Sequence, residues 1–188
     1  MTTMDEATYI ASLPRVLSGA GTVLRDAAGR ILLVEPDYRD CWLLPGGTVE
    51  SDAGESPRQA AHRETAEEIG LDVAVGALLA VDWVRSPGWP PVVSYLFDGG
   101  VLDDAALASI RLQEDELLSW RMAPWEEAAR LLDPPSALRV RAALDALERG
   151  TGTVELEDGR VPGRRMTGLR PGRGGDQPAD GKNPLSAP

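Results

Sequence analysis

The sequence predicts an α/β (α+β) domain in which a central mixed β-sheet lies between helices. Three observations predict it. Short runs rich in branched and aromatic residues, at positions 20–25, 31–35, 73–84 and 92–97, have the composition of strands. Between the two pairs of runs lies a segment, 56–70, that carries both a helix start and a helix stop. Two further helical patterns, at 124–132 and 136–147, follow the second pair.

Residues 1–18 show no long periodic pattern and are expected as an N-terminal extension, in which 9–17 could form a short strand or helix. Asp26-Ala27-Ala28-Gly29 separates the first two runs and reads as the turn of a hairpin. Residues 41–44 read as a brief strand ended by Pro45-Gly46-Gly47, where glycine allows backbone angles that side chains forbid, so a sharp loop is expected there. Ser56 suits an N-cap, Pro57 the first helical position and Gln59 the closing partner of a capping box, while Gly70 stops the helix. The runs at 73–84 and 92–97 look like paired strands, and Pro87, Gly88, Pro90 and Pro91 make the segment between them a loop. In the last helix the apolar positions 138, 140, 144 and 147 recur at helical spacing. The domain is expected to span 19–149. Residues 150–188, dominated by Gly, Pro, Arg and polar side chains, are expected to form a tail, disordered beyond about 160.

Composition narrows the functional classes. A chain of 188 residues fits one domain with some excess at its ends. Cys41 stands alone and can form no internal disulfide, and neither a secretory signal nor an apolar run long enough to cross a membrane is evident, so a reducing cytoplasm is expected. Of the 19 basic residues only Lys182 is a lysine, a skew that points to a GC-rich, bacterial genome. The net charge of −11 is uneven: residues 1–149 hold 13 Arg against 25 acidic residues, and 150–188 hold six basic against five acidic. An acidic body repels polyanions and argues against a nucleic-acid polymer as partner, whereas a small phosphorylated ligand bound through a divalent cation fits it. The composition is also compatible with a homodimer.

The informative stretch runs from Gly46 to Leu71. On a helix beginning at Pro57, Glu64, Glu67 and Glu68 fall at i, i+3 and i+4 and project from one face. The complementary stripe is Ala61, Thr65 and Ile69, small to apolar and suited to packing on a sheet. Alone, such a helix reads as a solvated face with i,i+4 ion pairs. Carboxylates gathered this densely also suit Mg²⁺ or Mn²⁺, hard cations that keep several waters and share their remaining positions with substrate phosphates.

The surrounding pattern decides between these readings. Glu55, Arg63, Glu64, Glu67, Glu68, Gly70 and Leu71 fall in the register of the Nudix box, and the chance of such a match is on the order of 10⁻⁷ per starting position. The stretch resembles that loop-helix-loop motif with two departures: the loop between Gly47 and Glu55 is two residues longer, and Thr65 fills a normally apolar slot. The resemblance covers roughly residues 19–132 and implies an α/β/α sandwich and a pyrophosphatase that cleaves the diphosphate bond of a nucleoside diphosphate-X compound or a nucleoside triphosphate. By the same resemblance Glu67 and Glu68 are the main Mg²⁺ or Mn²⁺ ligands, Glu64 a further ligand or the group polarising water, and the Gly46 carbonyl an additional ligand. Arg63 and Glu55 would brace the motif. A nucleotide sensor without turnover and an isoprenoid-diphosphate enzyme are the alternatives on this fold, the latter disfavoured by the lack of Cys and His equipment.

The general base is expected from the acidic run Glu114-Asp115-Glu116, with Glu116 the candidate; otherwise the run is an acidic turn. His62 reads as a surface or packing residue. Trp83, Trp89 and Tyr95 are candidates for stacking on a base, and each also fits core or lid packing. Ser86-Pro87-Gly88 resembles a turn of the family's ADP-ribose pyrophosphatases.

Overall fold

The computed structural model describes residues 5–163. The first hairpin joins β1 (Leu17–Asp26) to β2 (Ile31–Pro36) and is closed by Asp26, whose Oδ1 accepts the N–H groups of Ala28 at 3.0 Å and Arg30 at 2.9 Å. With β3 (Gly46–Thr48), β4 (Leu78–Val84), β5 (Val92–Leu102), β6 (Leu117–Ala123) and β7 (Val154–Glu157) these strands form one seven-stranded sheet. Its order is β6-β2-β1-β5-β4-β7, with β3 paired to β1 off that path. The sheet is mixed: β1–β5 and β4–β7 run parallel, and the remaining pairs antiparallel.

Helices cover both faces, which is why β1 and β2 read as continuous apolar runs rather than alternating ones. On one side Val23, Ile31 and Leu33 meet α4 (Trp125–Leu131) and α5 (Pro134–Arg149) through Ala128, Val140 and Ala143. On the other side Leu24, Leu32 and Val34 meet Ile69 of α2 (Pro57–Ile69) and Ile110, which follows α3 (Asp104–Ser109). The α/β/α sandwich is therefore present. The extension preceding the sheet forms α1 (Glu6–Ser12), capped by Asp5, with no buried residue. No described helix is long and apolar enough to cross a membrane.

Several boundaries differ from those the sequence suggests. Residues 41–44 contribute only an isolated bridge, Leu43 to Val34; the strand is instead Gly46–Thr48, in the run expected to be a sharp loop. The β4 strand begins only at Leu78, and β5 continues past 97 to Leu102. Neither α3 nor β6 was legible as an element, because α3 is six residues long and β6 is a partly exposed edge strand.

The sheet also extends beyond the expected end of the domain near Arg149. Residues 154–157 pair in parallel with β4 along Ala80 to Trp83. Gly150, Gly152 and Gly159 surround this strand and only Val154 and Leu156 are apolar, so its composition resembles a tail even though Leu156 is 1% exposed. The strand supports a group buried at the centre of β4: the Asp82 carboxylate, fully buried, accepts Arg139 Nε at 2.9 Å and the Gly159 N–H at 3.0 and 3.1 Å. The disorder expected beyond about 160 falls mainly on 164–188, outside the described residues.

Candidate metal and substrate site

The helix α2 starts and stops as its sequence dictates. Ser56 and Gln59 make the reciprocal capping box, Pro57 opens the first turn, and Gly70 ends the helix in the left-handed conformation at φ 70°. Ala61, Thr65 and Ile69 are fully buried against the sheet. Thr65 serves the apolar slot without an orphaned hydroxyl, since its Oγ1 donates to the Ala61 carbonyl at 2.7 Å and lies 2.9 Å from Thr22 Oγ1.

Packing that stripe on the sheet turns the acid face toward β3. Glu68 is 4% exposed, and its Oε2 accepts the Gly46 N–H at 2.8 Å. The Glu64 carboxylate lies against Gly47, within 2.5 Å of where a Cβ at that position would stand. Glu67 is half exposed. Arg63 binds all parts of the motif: Nε and Nη2 donate to Glu55 at 2.8 and 3.1 Å, Nη2 to the Thr48 carbonyl at 3.1 Å, and Nη1 to Glu64 and Glu67 at 2.9 Å each. The loop's two extra residues are absorbed in a 3-10 turn at Ser51–Ala53, followed by Gly54 at φ 79°, so the brace closes despite the greater length. The braces expected of Arg63 and Glu55 are thus formed.

The two glycines of β3 differ in what they make room for. Gly46, at φ 149°, faces the backbone of Ala20 and Gly21, which a Cβ would overlap. Gly47 faces the carboxyl end of the Glu64 side chain rather than backbone. Gly46→Ala is therefore expected to cost ~2–3 kcal/mol of stability, whereas Gly47→Ala should melt within a few degrees of the wild type while displacing Glu64 and lowering turnover by roughly tenfold. Melting curves and kinetics of the two variants test this; equal stability losses would show that Gly47 is a purely structural glycine.

Burial sets the electrostatics. It pushes the Glu68 carboxyl up to about 8, against the lowering influence of the Gly46 N–H, and Glu64, Glu116 and Glu67 raise it further. Burial also raises Glu64, offset in part by Arg63. Glu116 is raised by burial, then by Asp115, Asp37 and Glu67, which places it within electrostatic reach of the box. A carboxyl raised above its unfolded value keeps its proton longer in the native state, so Glu68's contribution to the metal-free fold is fully present below about pH 4.5 and is lost as pH rises through about 8. The loss should amount to a few kcal/mol on an order-of-magnitude scale. Melting in EDTA from pH 5 to 8.5 should show the decline, and Mg²⁺ should reverse it most at high pH; a flat metal-free profile would contradict the buried carboxyl.

These residues fit a hard divalent cation. Glu64 and Glu68 are desolvated carboxylates on one edge, and the Gly21–Gly46 register, a non-hydrogen-bonded pair between Thr22–Pro45 and Ala20–Gly47, turns the Gly46 N–H and C=O away from β1. Among the described residues no three His, Cys, Asp or Glu side chains are already gathered for an ion. Arg63 accounts for part of this, since it draws Glu64 and Glu67 to its own Nη1.

A cleft of about 290 Å³ opens beside this edge, lined by Gly46 and Gly47 and, further along, by Tyr38, Arg39, Arg85 and Arg139. Trp83 and Trp89 do not line it: Trp83, 38% exposed, lies on the opposite sheet face beside Val81 and Val93, and Trp89 sits in the 85–91 loop with its N–H on the Ser86 carbonyl. Tyr95 does line it, although its ring packs against the Ala20, Ala61 and Phe97 cluster. His62 is on the surface, 2.7 Å from Asp72. Glu114 and Asp115 are exposed, and Glu116 is half-buried. Tyr38 and Arg39 escaped the sequence reading; an aromatic next to a cation in the loop leading to Pro45-Gly46-Gly47 was the available signal. Burial and the charges of Glu68 and Glu116 push the Tyr38 hydroxyl up to about 12, so it stays a donor.

Comparison with known proteins agrees with this geometry. Residues 16–144, more than half of the chain, match the NUDIX domain. An RNA pyrophosphohydrolase of Dinoroseobacter shibae is 31% identical over 140 residues, covering 66% of this chain and 84% of the relative. A protein of unassigned role from Schizosaccharomyces pombe is 36% identical over 123 residues, 59% of this chain, which spans only 36% of that relative's length. The crystal structure of a Caenorhabditis elegans Ap4A hydrolase binary complex superposes with a TM-score of 0.54 at 25% identity, covering 71% of this chain and 98% of that one. By its fold, its box and the extent of the match, the chain belongs to the Nudix hydrolase family.

Proposed function

We infer that the protein hydrolyses a diphosphate bond in a nucleoside diphosphate-X compound or a nucleoside triphosphate, using Mg²⁺ or Mn²⁺ held by Glu64, Glu67, Glu68 and the Gly46 carbonyl. The observation that carries this reading is the pair of desolvated carboxylates, Glu64 and Glu68, set against Gly46 and Gly47, the two glycines that also line the cleft. A buried Glu68 held by one backbone N–H, beside a partly buried Glu64 that only Arg63 compensates, is costly unless a cation or protons neutralise the pair. A divalent cation there would lower the pKa of a water and neutralise charge developing on the leaving phosphate.

The chain's own residues supply the rest. Arg63 fixes the loop to the helix through Glu55 and the Thr48 carbonyl, which holds Glu64 and Glu67 in place. Glu116, its carboxyl raised by burial and its acidic neighbours, is the group that accepts the water's proton in this reading. The protonated Tyr38 hydroxyl can donate to a phosphate oxygen in the cleft. Formation of the two phosphorylated products of diphosphate cleavage, such as a nucleoside monophosphate with a sugar phosphate or pyrophosphate, with Mg²⁺ or Mn²⁺ over nucleoside triphosphates, ADP-ribose, nucleotide sugars and dinucleoside polyphosphates tests this reading. Turnover of at least one substrate, abolished by EDTA, is expected; no turnover of any would sink it.

A further inference from the structure

The turn after β7 lies beyond the residues that match the family and carries an unusual set of bonds. Asp158 sits at φ 49°, a left-handed conformation that side chains seldom adopt. Its N–H donates to the Trp83 carbonyl at 3.1 Å. Its carboxylate takes the Arg85 N–H at 2.8 Å, Arg85 Nε at 3.0 Å and Nη2 at 2.8 Å. Gly159, at φ 75°, gives its N–H to Asp82, and a Cβ there would stand 2.5 Å from the Pro135 carbonyl and 2.8 Å from Leu138 Cβ. Asp82 in turn holds Arg139 Nε at 2.9 Å, and Arg139 Nη1 donates to Ser94 Oγ at 2.9 Å. The turn thus grips both arginines of one cleft wall, Arg85 directly and Arg139 through Asp82.

Each grip leaves one part of a guanidinium unused. Arg85 bonds through its main chain, Nε and Nη2, and Arg139 through Nε and Nη1; Arg85 Nη1 and Arg139 Nη2 have no hydrogen-bond partner among the described residues. A fork pinned on one edge by a carboxylate is oriented before a ligand arrives, and its free N–H groups suit an oxyanion.

We propose that the Glu157–Arg160 turn is a positioning element of the substrate cleft, which pins Arg85 and Arg139 so that their free N–H groups receive an oxyanion of a nucleotide, away from the Glu64 and Glu68 edge. The proposal rests on the nucleotide-hydrolase reading. Asp158 never touches the ligand; it acts through Arg85. Arg85→Ala should raise KM about tenfold with kcat changed less than threefold, because the lost contact serves ground state and transition state alike. Asp158→Asn is the informative partner: asparagine tolerates the left-handed backbone and keeps an acceptor while removing the charge. It should raise KM roughly three- to fivefold in the wild-type background and not at all in Arg85→Ala.

The test measures steady-state kinetics on the turned-over substrate, calorimetric binding of MgADP, and melting for the wild type, both single variants and the double variant of the full chain. Non-additive losses in KM and in MgADP affinity are the expected result. An Asp158→Asn variant that melts lower with KM and MgADP affinity unchanged would make the turn a structural staple only and overturn the proposal, as would additive losses or a wild type that does not bind MgADP. Binding that follows the expected pattern without turnover of any substrate would overturn the hydrolase reading and leave the positioning role standing.

Discussion

Glu68→Gln and Glu67→Gln are expected to lower kcat by ~10²–10⁴, at ~1.36 kcal/mol per decade, if the cation they hold supplies several kcal/mol of transition-state stabilisation. The two should part company in stability. A glutamine amide in place of the Glu68 carboxyl can still accept the Gly46 N–H, and the exchange removes a group that burial pushes up to about 8. Metal-free Glu68→Gln should therefore match the wild type only below about pH 4.5 and melt progressively higher than it as pH rises toward about 8. Glu67 is half exposed and paired with Arg63, so its replacement should shift stability by less than about 1 kcal/mol. Glu127→Gln, on α4 with its partner Arg121 at 2.8 Å, is the control and should change neither quantity much. Kinetics at saturating Mg²⁺ and substrate, with melts in EDTA, separate these outcomes. Equal activity in all three variants would refute the catalytic assignment, and unfolding of the box variants alone would make those glutamates structural.

Truncation after Arg149 is expected to destabilise the fold by ~3 kcal/mol or more, a drop in melting temperature of roughly 10 °C. The cut removes the partner of β4, the buried Leu156 and the Gly159 N–H that serves the fully buried Asp82 carboxylate. Asp82 would keep Arg139 but lose a donor inside the protein, where an unserved charge is expensive. A chain ending at Gly163 retains every one of these contacts and should melt with the full chain. Calorimetry of the two truncations decides the matter: coincident transitions for the Arg149 cut and the full chain would remove β7 from the cooperative unit.

The legible parts of this molecule are those whose signals are local. Ser56, Pro57, Gln59 and Gly70 announce α2 because a cap is satisfied by neighbours in sequence, and the box could be read because its spacing is fixed by one helix. Gly46-Gly47 misled, since an extended glycine pair that makes room for the β1 backbone and for Glu64 has the same composition as a turn. β7 was lost for a related reason: its strand is justified by Asp82, and nothing near residues 154–157 reveals that a carboxylate distant in the chain needs a donor there. Likewise Tyr38 and Arg39 join the cleft through tertiary placement alone, while Trp83 has the right chemistry on the wrong sheet face.

The parallel pairing of β1 with β5 has a consequence for how the chain reaches this state. Leu17 pairs with Val92 and Asp26 with Leu102, so the central seam of the sheet joins segments with the whole box lying between them. Closing so long a loop costs entropy before any contact is gained, and topologies dominated by distant pairings fold slowly. On a ribosome the hairpin and α2 can form early, but the seam must await β5, and Asp82 must await Gly159 near the far end of the described chain. Nascent chains arrested before residue 159 should therefore hold a formed helix on an unfinished sheet, a species open to chaperone capture until the last strand emerges.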